Sequence, residues 1–169
     1  VKFFLVGLPD IAVKESQQRI ESALRLYGYK WPKHKIIINM APADIRKEGS
    51  AYDLPIAIGV LAASEQIRYD RLEKFVMMGE LSLDGTLQPV KGVLPIAVNA
   101  RTEGFEGFIL PKANAREAAV VDKLKIFGVE TLQEVIDFMN GGPEPVQTIV
   151  DTRAEFFARI CHSDVDFSD

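Results

Sequence analysis

The sequence is poor in the residues that build disulfide frameworks and transition-metal sites. It holds one cysteine, Cys161, and two histidines, His34 and His162, in 169 residues. A single cysteine excludes a disulfide framework and a zinc–thiolate cluster, because each needs several thiols, and it fits a reducing compartment such as the cytoplasm. The two histidines lie far apart and match no H-E-x-x-H pattern. We therefore predict no metal site in this chain.

Long apolar runs and a strong charge of one sign are also missing. The longest apolar stretch, 54–64, is interrupted by Pro55 and Gly59 and is shorter than the roughly 20 residues that cross a bilayer. We predict no membrane contact. The formal net charge of −4 gives no overall attraction to nucleic acid, so any DNA binding needs a local basic surface. No G-x-x-x-x-G-K-S/T phosphate loop occurs, so this chain itself is expected to bind no ATP or other cofactor.

Apolar periodicity and turn residues predict alternating strands and helices. The predicted order is β-α-β-α-β-β-α-β-α-β-α, which indicates an α/β fold (α+β, with a mixed sheet). Asp84-Gly85 predicts a hairpin, and Asp10 and Asp53 are predicted to cap the helices that follow them. The predicted strands are 1–6, 36–40, 75–83, 86–90, 108–110 and 125–129. The predicted helices are 11–27, 53–65, 92–101, 113–121 and 132–139.

The composition changes after Gly141-Gly142-Pro143. We predict one domain over residues 1–141 and a linker over 142–169, which is rich in acidic residues. Within the linker, 152–160 is predicted to form an amphipathic helix whose apolar stripe docks on this domain or on another. The chain starts with Val1 in what looks like a strand already under way, so we expect the first strand to be truncated.

Three segments carry a family resemblance. They are 6–16 (VGLPDIAVKES), 39–58 (NMAPADIRKEGSAYDLPIAI) and 79–95 (GELSLDGTLQPVKGVLP). Over about residues 1–140 the chain resembles the N-terminal domain of ComM/YifB-type magnesium-chelatase-like AAA+ ATPases. The resemblance implies a catalytically degenerate fold like the proteolytic domain of Lon protease and the second domain of ribosomal protein S5. The tail 164–169 (DVDFSD) resembles the lead-in to the family's AAA+ ATPase module.

The resemblance also implies partners and cofactors for a longer polypeptide. In this family the AAA+ module forms homo-oligomeric rings, binds ATP and Mg²⁺, and is linked to DNA branch migration during natural transformation (competence). The implied partners of this chain are the AAA+ module of the same polypeptide, the ring and DNA. The implied role of the chain itself is that of a non-catalytic accessory or assembly domain.

A Ser/Lys peptidase is the enzymatic alternative, because active Lon domains place a serine at a helix start beside a lysine that acts as base. Segment 47–53 (KEGSAYD) puts Ala51 at the family's serine position and Ser50 one residue earlier. The family's lysine position falls on Leu94, and Lys91 lies three residues before it. We therefore predict a degenerate dyad, with Ser50 a loop hydroxyl, Lys91 a solvated lysine and Leu94 a core residue.

A DNA-binding module is the second alternative. Segment 29–35 (YKWPKHK) combines cations for phosphates with aromatic rings for bases. The competing interpretation is a solvated connector whose aromatic side chains close one end of the core. Two further cations, in the loop before 53, would extend the basic surface if the loops meet, or else pair with Glu48 on the surface. The candidate contact residues are Lys30, Trp31, Lys33, Lys35, Arg46 and Lys47.

Overall fold

The computed structural model describes the backbone of residues 2–163 and the side chains of residues 2–161, so the family-like tail 164–169 lies outside the described residues. The strands are β1 (Phe3–Val6), β2 (Ile36–Asn39), β3 (Phe75–Met77), β4 (Glu80–Leu81), β5 (Leu87–Gln88), β6 (Gly107–Pro111) and β7 (Lys125–Val129). The helices are α1 (Ile11–Lys14), α2 (Ser16–Leu26), α3 (Asp53–Ala63), α4 (Val93–Thr102), α5 (Lys112–Ala118), α6 (Leu132–Met139) and α7 (Thr152–Ser163). A single 3-10 turn, Leu72–Lys74, precedes β3.

The strands form three small sheets. β1 and β2 are parallel, with Phe3 opposite Ile36. β6 lies between β3 and β7, and all three are parallel. β4 and β5 form the predicted antiparallel hairpin, in which Gly85 adopts a φ of 83°. The α/β prediction is confirmed. In place of one mixed sheet, the parallel and the antiparallel strand pairs lie in separate sheets.

The predicted strand over 75–83 is interrupted between β3 and β4. The Gly79 N–H donates to the Ala51 carbonyl at 2.9 Å, and the Gly79 carbonyl accepts the Leu54 N–H at 3.0 Å. These bonds tie the backbone to the start of α3 in place of a neighbouring strand. The predicted helix over 11–27 is likewise divided at Glu15 into α1 and α2.

The main core forms around α3, which is apolar on nearly every side. Leu54, Ile58 and Leu61 are fully or almost fully buried, as expected of a helix without a polar face. α2, β6, β7 and α6 also contribute to this core, and a second apolar cluster lies between α4, α5 and the other face of β6. Within residues 2–163, no helix has the length and apolar character needed to cross a bilayer.

After α6 the chain turns back along the outer edge of β7. Gln147 forms an antiparallel bridge with Phe127, and the Thr148 N–H donates to the Ile126 carbonyl at 2.8 Å. The predicted helix at 152–160 is confirmed as α7, and Glu155 on it forms an ion pair with Arg116 on α5. The rings of Phe156 and Phe157 remain mostly exposed. The division into a domain and a linker at residue 141 stays a prediction.

Candidate functional site

The hydroxyl of Ser50 is bound to a carboxylate. Ser50 lies half-buried in the loop before α3, and its Oγ donates a hydrogen bond to Oε2 of Glu80 on β4. A dyad of the Lon type needs a lysine amine at this position. Carboxylates are ordinarily far weaker bases than amines, so the partner of Ser50 differs from the amine that a Lon-type dyad requires. The bond instead ties the loop to the hairpin.

Among the described side chains, no lysine is bound to the Ser50 hydroxyl, whose partner is Glu80. Lys91 is exposed, just before α4 begins. Ala51 is half-buried, and its carbonyl accepts the Gly79 N–H.

The prediction that Leu94 is a core residue is wrong, because its side chain is 36% exposed. α4 turns Val93, Ala97 and Ala100 toward the core. These three positions follow the spacing of one helix face, so the residue next to Val93 lies at the edge of that face. The resemblance assigns the family's lysine to this position, where the structure places an aliphatic side chain partly in solvent.

A buried ion pair, which sequence reasoning missed, lies beside the Ser50–Glu80 contact. The carboxylate of Asp53 is fully buried and accepts two hydrogen bonds from Arg19, at 2.6 Å from Nε and 3.0 Å from Nη2. The Leu81 N–H donates to the same carboxylate at 3.0 Å. The prediction that Asp53 caps α3 is therefore wrong. Asp53 is the first residue of the helix, and its side chain turns inward to Arg19 on α2.

The two members of this pair have their pKa values raised for different reasons. Burial raises the pKa of Asp53, against the lowering effect of the hydrogen bonds from Arg19 and the Leu81 amide, and the charge of Glu80 raises it further. The hydrogen bond to Asp53 raises the pKa of Arg19. The bidentate geometry is the one in which a guanidinium best satisfies a carboxylate.

The predicted cap at Asp10 is confirmed and does more than expected. Its carboxylate accepts the Val13 N–H of α1 at 2.8 Å and the Gly49 N–H of the loop at 3.0 Å. These two hydrogen bonds, in that order of importance, lower the pKa of Asp10. The side chain therefore holds the start of α1 against the loop that carries Ser50.

The structure separates the two loop cations, Arg46 and Lys47. Arg46 is exposed and its Nε lies 3.4 Å from the carboxylate of Glu48. Lys47 is only 5% exposed, and its ammonium donates to the Pro42 carbonyl. The prediction that Lys47 extends a basic surface is wrong, because its backbone pairs with the start of α1, where the Asp10 N–H donates to its carbonyl. With its backbone held there, the Lys47 side chain points inward and is buried.

Segment 29–35 has both a packed side and an exposed side. The rings of Trp31 and Phe3 lie 5.7 Å apart, and both they and Tyr29 pack against the main core. The ammonium of Lys35 stands 5.1 Å above the ring of Phe4. The aromatic side chains thus close one end of the core. The exposed cations are Lys30, Lys33 and Lys35.

The family resemblance associates magnesium with the AAA+ module, and the described part of this chain offers no matching ligand set. Among residues 2–161, no three His, Cys, Asp or Glu side chains converge so as to hold a metal ion. A hard cation needs several converging oxygen ligands. We therefore assign no step to magnesium here.

Comparisons with known proteins agree on one group of relatives. A family model described as subunit ChlI of Mg-chelatase matches residues 1–114. Competence protein ComM of Haemophilus influenzae is 45% identical over 139 residues, which cover 82% of this chain and 27% of ComM. Protein YifB of Escherichia coli is 42% identical over 137 residues, covering 81% of this chain and 27% of YifB. Lon protease 2 of Bacillus subtilis is 32% identical over 125 residues, covering 73% of this chain and 22% of the protease. The chain thus spans about a quarter of the length of these curated relatives.

Proposed function

The chain belongs to the family of subunit ChlI of Mg-chelatase, and from that membership we propose that it is a non-catalytic accessory or assembly domain of a larger AAA+ ATPase. The observation that carries the proposal is the hydrogen bond from Ser50 to Glu80, with Lys91 exposed. The resemblance adds that an aliphatic residue, Leu94, takes the position of the catalytic lysine. A Lon-type peptidase requires an amine base beside the serine. A domain that has the Lon-like fold but lacks this base can still bind a partner or position another module.

The remaining functions belong to the whole polypeptide in this proposal. We assign ATP and Mg²⁺ to an AAA+ module, and a homo-oligomeric ring and DNA to its partners, in the cytoplasm. The support is the resemblance to the family and the 45% sequence identity over 139 residues with a relative named competence protein ComM. Direct DNA binding by segment 29–35 stays a prediction, since its lysines are exposed while its aromatic rings pack on the core.

We expect no Ser50-dependent proteolysis. The chain and its Ser50→Ala variant, incubated with casein, should give the same peptide masses by mass spectrometry, because no amine activates the hydroxyl. Lon protease 2 of Bacillus subtilis serves as the positive control. Casein fragments that appear with the wild-type chain and disappear with Ser50→Ala would overturn the non-catalytic part of the proposal.

The assembly role is tested in a longer relative. In Haemophilus influenzae ComM, the 139-residue matched region is either deleted or replaced by this chain. We expect the replaced protein to sediment as a ring in the presence of ATP and Mg²⁺ and the deleted protein to sediment as smaller species. Rings of equal size from both proteins would contradict an assembly role.

A further inference from the structure

One edge of β2 has no strand beside it. The Ile36 N–H donates to the Lys2 carbonyl at 2.9 Å and the Met40 N–H donates to the Val6 carbonyl at 2.8 Å, so these amides face β1. Because successive amides along a strand point in opposite directions, those of Ile37 and Asn39 face away from β1. Within residues 2–163, β2 pairs with β1 alone. Such an edge is a template for a further strand.

An apolar groove of about 510 Å³ runs along this edge, between β2 and α3. Its α3 wall includes Pro55, Gly59 and Ala63, which recur at four-residue spacing and so share one helix face. The remaining sides of α3 are buried in the core. At Gly59, no atom beyond the neighbouring residues and backbone of its own helix lies within 4 Å of the position that a Cβ would occupy. An apolar helix therefore leaves one face open beside an unpaired strand edge.

A buried cation marks one end of the groove. Lys47 lines it, is 5% exposed, and donates to the Pro42 carbonyl. A Cβ at Gly7 would lie 2.2 Å from the Met40 carbonyl oxygen and 3.3 Å from the Lys47 ammonium, which places that ammonium beside the end of β2.

Lys47 belongs to none of the ion pairs formed by the described side chains. A buried ammonium without a counter-charge is unfavourable. A carboxylate brought in by a ligand would supply that counter-charge where β2 ends.

We propose that this groove binds the C-terminal end of an extended apolar peptide, which adds to β2 as a strand and places its terminal carboxylate at Lys47. A paired strand has the same rise per residue as its neighbour, about 3.3 Å, so β2, which has 4 residues, accommodates roughly four peptide residues. Alternate peptide side chains would enter the groove against α3, while the backbone pairs with the amides of Ile37 and Asn39. The inference concerns a site on this chain and stands apart from the assembly role.

Fluorescence anisotropy with two synthetic peptides tests the proposal. Both are fluorescein-labelled Gly-Gly-Val-Thr-Val-Thr-Val-Leu, one ending in a carboxylate and the other in a carboxamide. We expect the carboxylate peptide to bind about tenfold more tightly, since a charge-assisted hydrogen bond is at stake. In Lys47→Met the two peptides should bind equally, which isolates the coupling between Lys47 and the carboxylate.

Two further substitutions test the groove itself. Gly59→Leu fills it and should abolish binding of both peptides, whereas Glu117→Leu adds the same side chain to an exposed position on α5 and should change nothing. Asn39→Pro removes an amide that faces away from β1, which an edge strand tolerates. This variant should also lose both peptides, and Asn39→Ala should keep them.

Three results would overturn the proposal. The first is equal affinity of the wild-type chain for the two peptides, a comparison that remains available if Lys47→Met does not fold. The second is the lack of saturable binding of the carboxylate peptide. The third is a dimer of the wild-type chain, seen by sedimentation and lost in Asn39→Pro, because a second copy would then occupy the edge of β2.

Discussion

Replacing Arg19 by methionine is expected to lower the free energy of unfolding by about 3–5 kcal/mol, the usual result of leaving one member of a buried ion pair without its partner. Methionine keeps the length of the side chain and its contact with the core, but it donates no hydrogen bond. The carboxylate of Asp53, fully buried, would then keep only the Leu81 N–H. Urea denaturation, followed by the fluorescence of the single tryptophan, Trp31, measures the loss.

Arg25→Met is the matched control, because it removes a second arginine from the same helix. Arg25 is 68% exposed and pairs with Glu21 one turn away, so its loss should cost no more than about 0.5 kcal/mol. The double variant Arg19→Met/Asp53→Leu should recover much of the stability, since no unpaired charge remains buried. Equal losses in Arg19→Met and Arg25→Met would contradict the importance assigned to the buried pair.

The Arg19→Met deficit should also depend on pH. Burial raises the pKa of Asp53 above its ordinary value of 3.8, so the folded chain binds this proton more tightly than the unfolded chain. The contribution of this group to stability therefore falls as pH rises from the unfolded pKa to the raised folded pKa. Arg19 lowers the pKa of Asp53, so its removal extends that window upward. The deficit should be smaller at about pH 4 than at about pH 7, relative to Arg25→Met.

Gly7→Ala is expected to lower the free energy of unfolding by about 2–4 kcal/mol, because strain and collision act together. Gly7 follows β1 with a φ of 116°, and an added Cβ would lie 2.2 Å from the carbonyl oxygen of Met40. That oxygen cannot easily retreat, since the Met40 N–H is held by the Val6 carbonyl. The comparison is again made by urea denaturation.

Gly28→Ala separates the two causes. Gly28 has a φ of 81°, but no atom lies within 4 Å of its added Cβ, so only the left-handed backbone is penalised, by about 1 kcal/mol. If Gly7→Ala costs no more than Gly28→Ala, the backbone around Met40 yields more readily than its hydrogen bond indicates.

The parts of the fold that depend on neighbouring residues could be predicted from the sequence. β7 and α6 have the bounds predicted from periodicity. The start of α6 is fixed locally, because the Thr131 hydroxyl accepts the Glu134 N–H. The interruption of 75–83 could not be predicted, since it depends on hydrogen bonds from Gly79 to residues more than 20 positions away. The sequence around Gly79 contains no pattern that predicts these hydrogen bonds.

The candidate site was predictable in outline and misjudged in detail for the same reason. An aspartate before an apolar run is the local pattern of a helix cap, and Asp53 has that pattern, while its true partner Arg19 lies 34 residues away. Lys47 lies in a run of charged residues, which predicts exposure to solvent. In the structure its backbone pairs with the start of α1 and its side chain is buried. No local sequence pattern distinguishes a charged residue that becomes buried from one that stays in solvent.

The return of the chain along β7 bears on where a shorter fragment of this protein can be cut. The compositional change at Gly141 invites truncation there, yet the Thr148 N–H satisfies the Ile126 carbonyl and Gln147 bridges to Phe127. A fragment ending at α6 would lose these contacts. It would leave the outer edge of β7 unpaired, as one edge of β2 already is within residues 2–163. The smallest piece that keeps β7 covered therefore extends through Thr148.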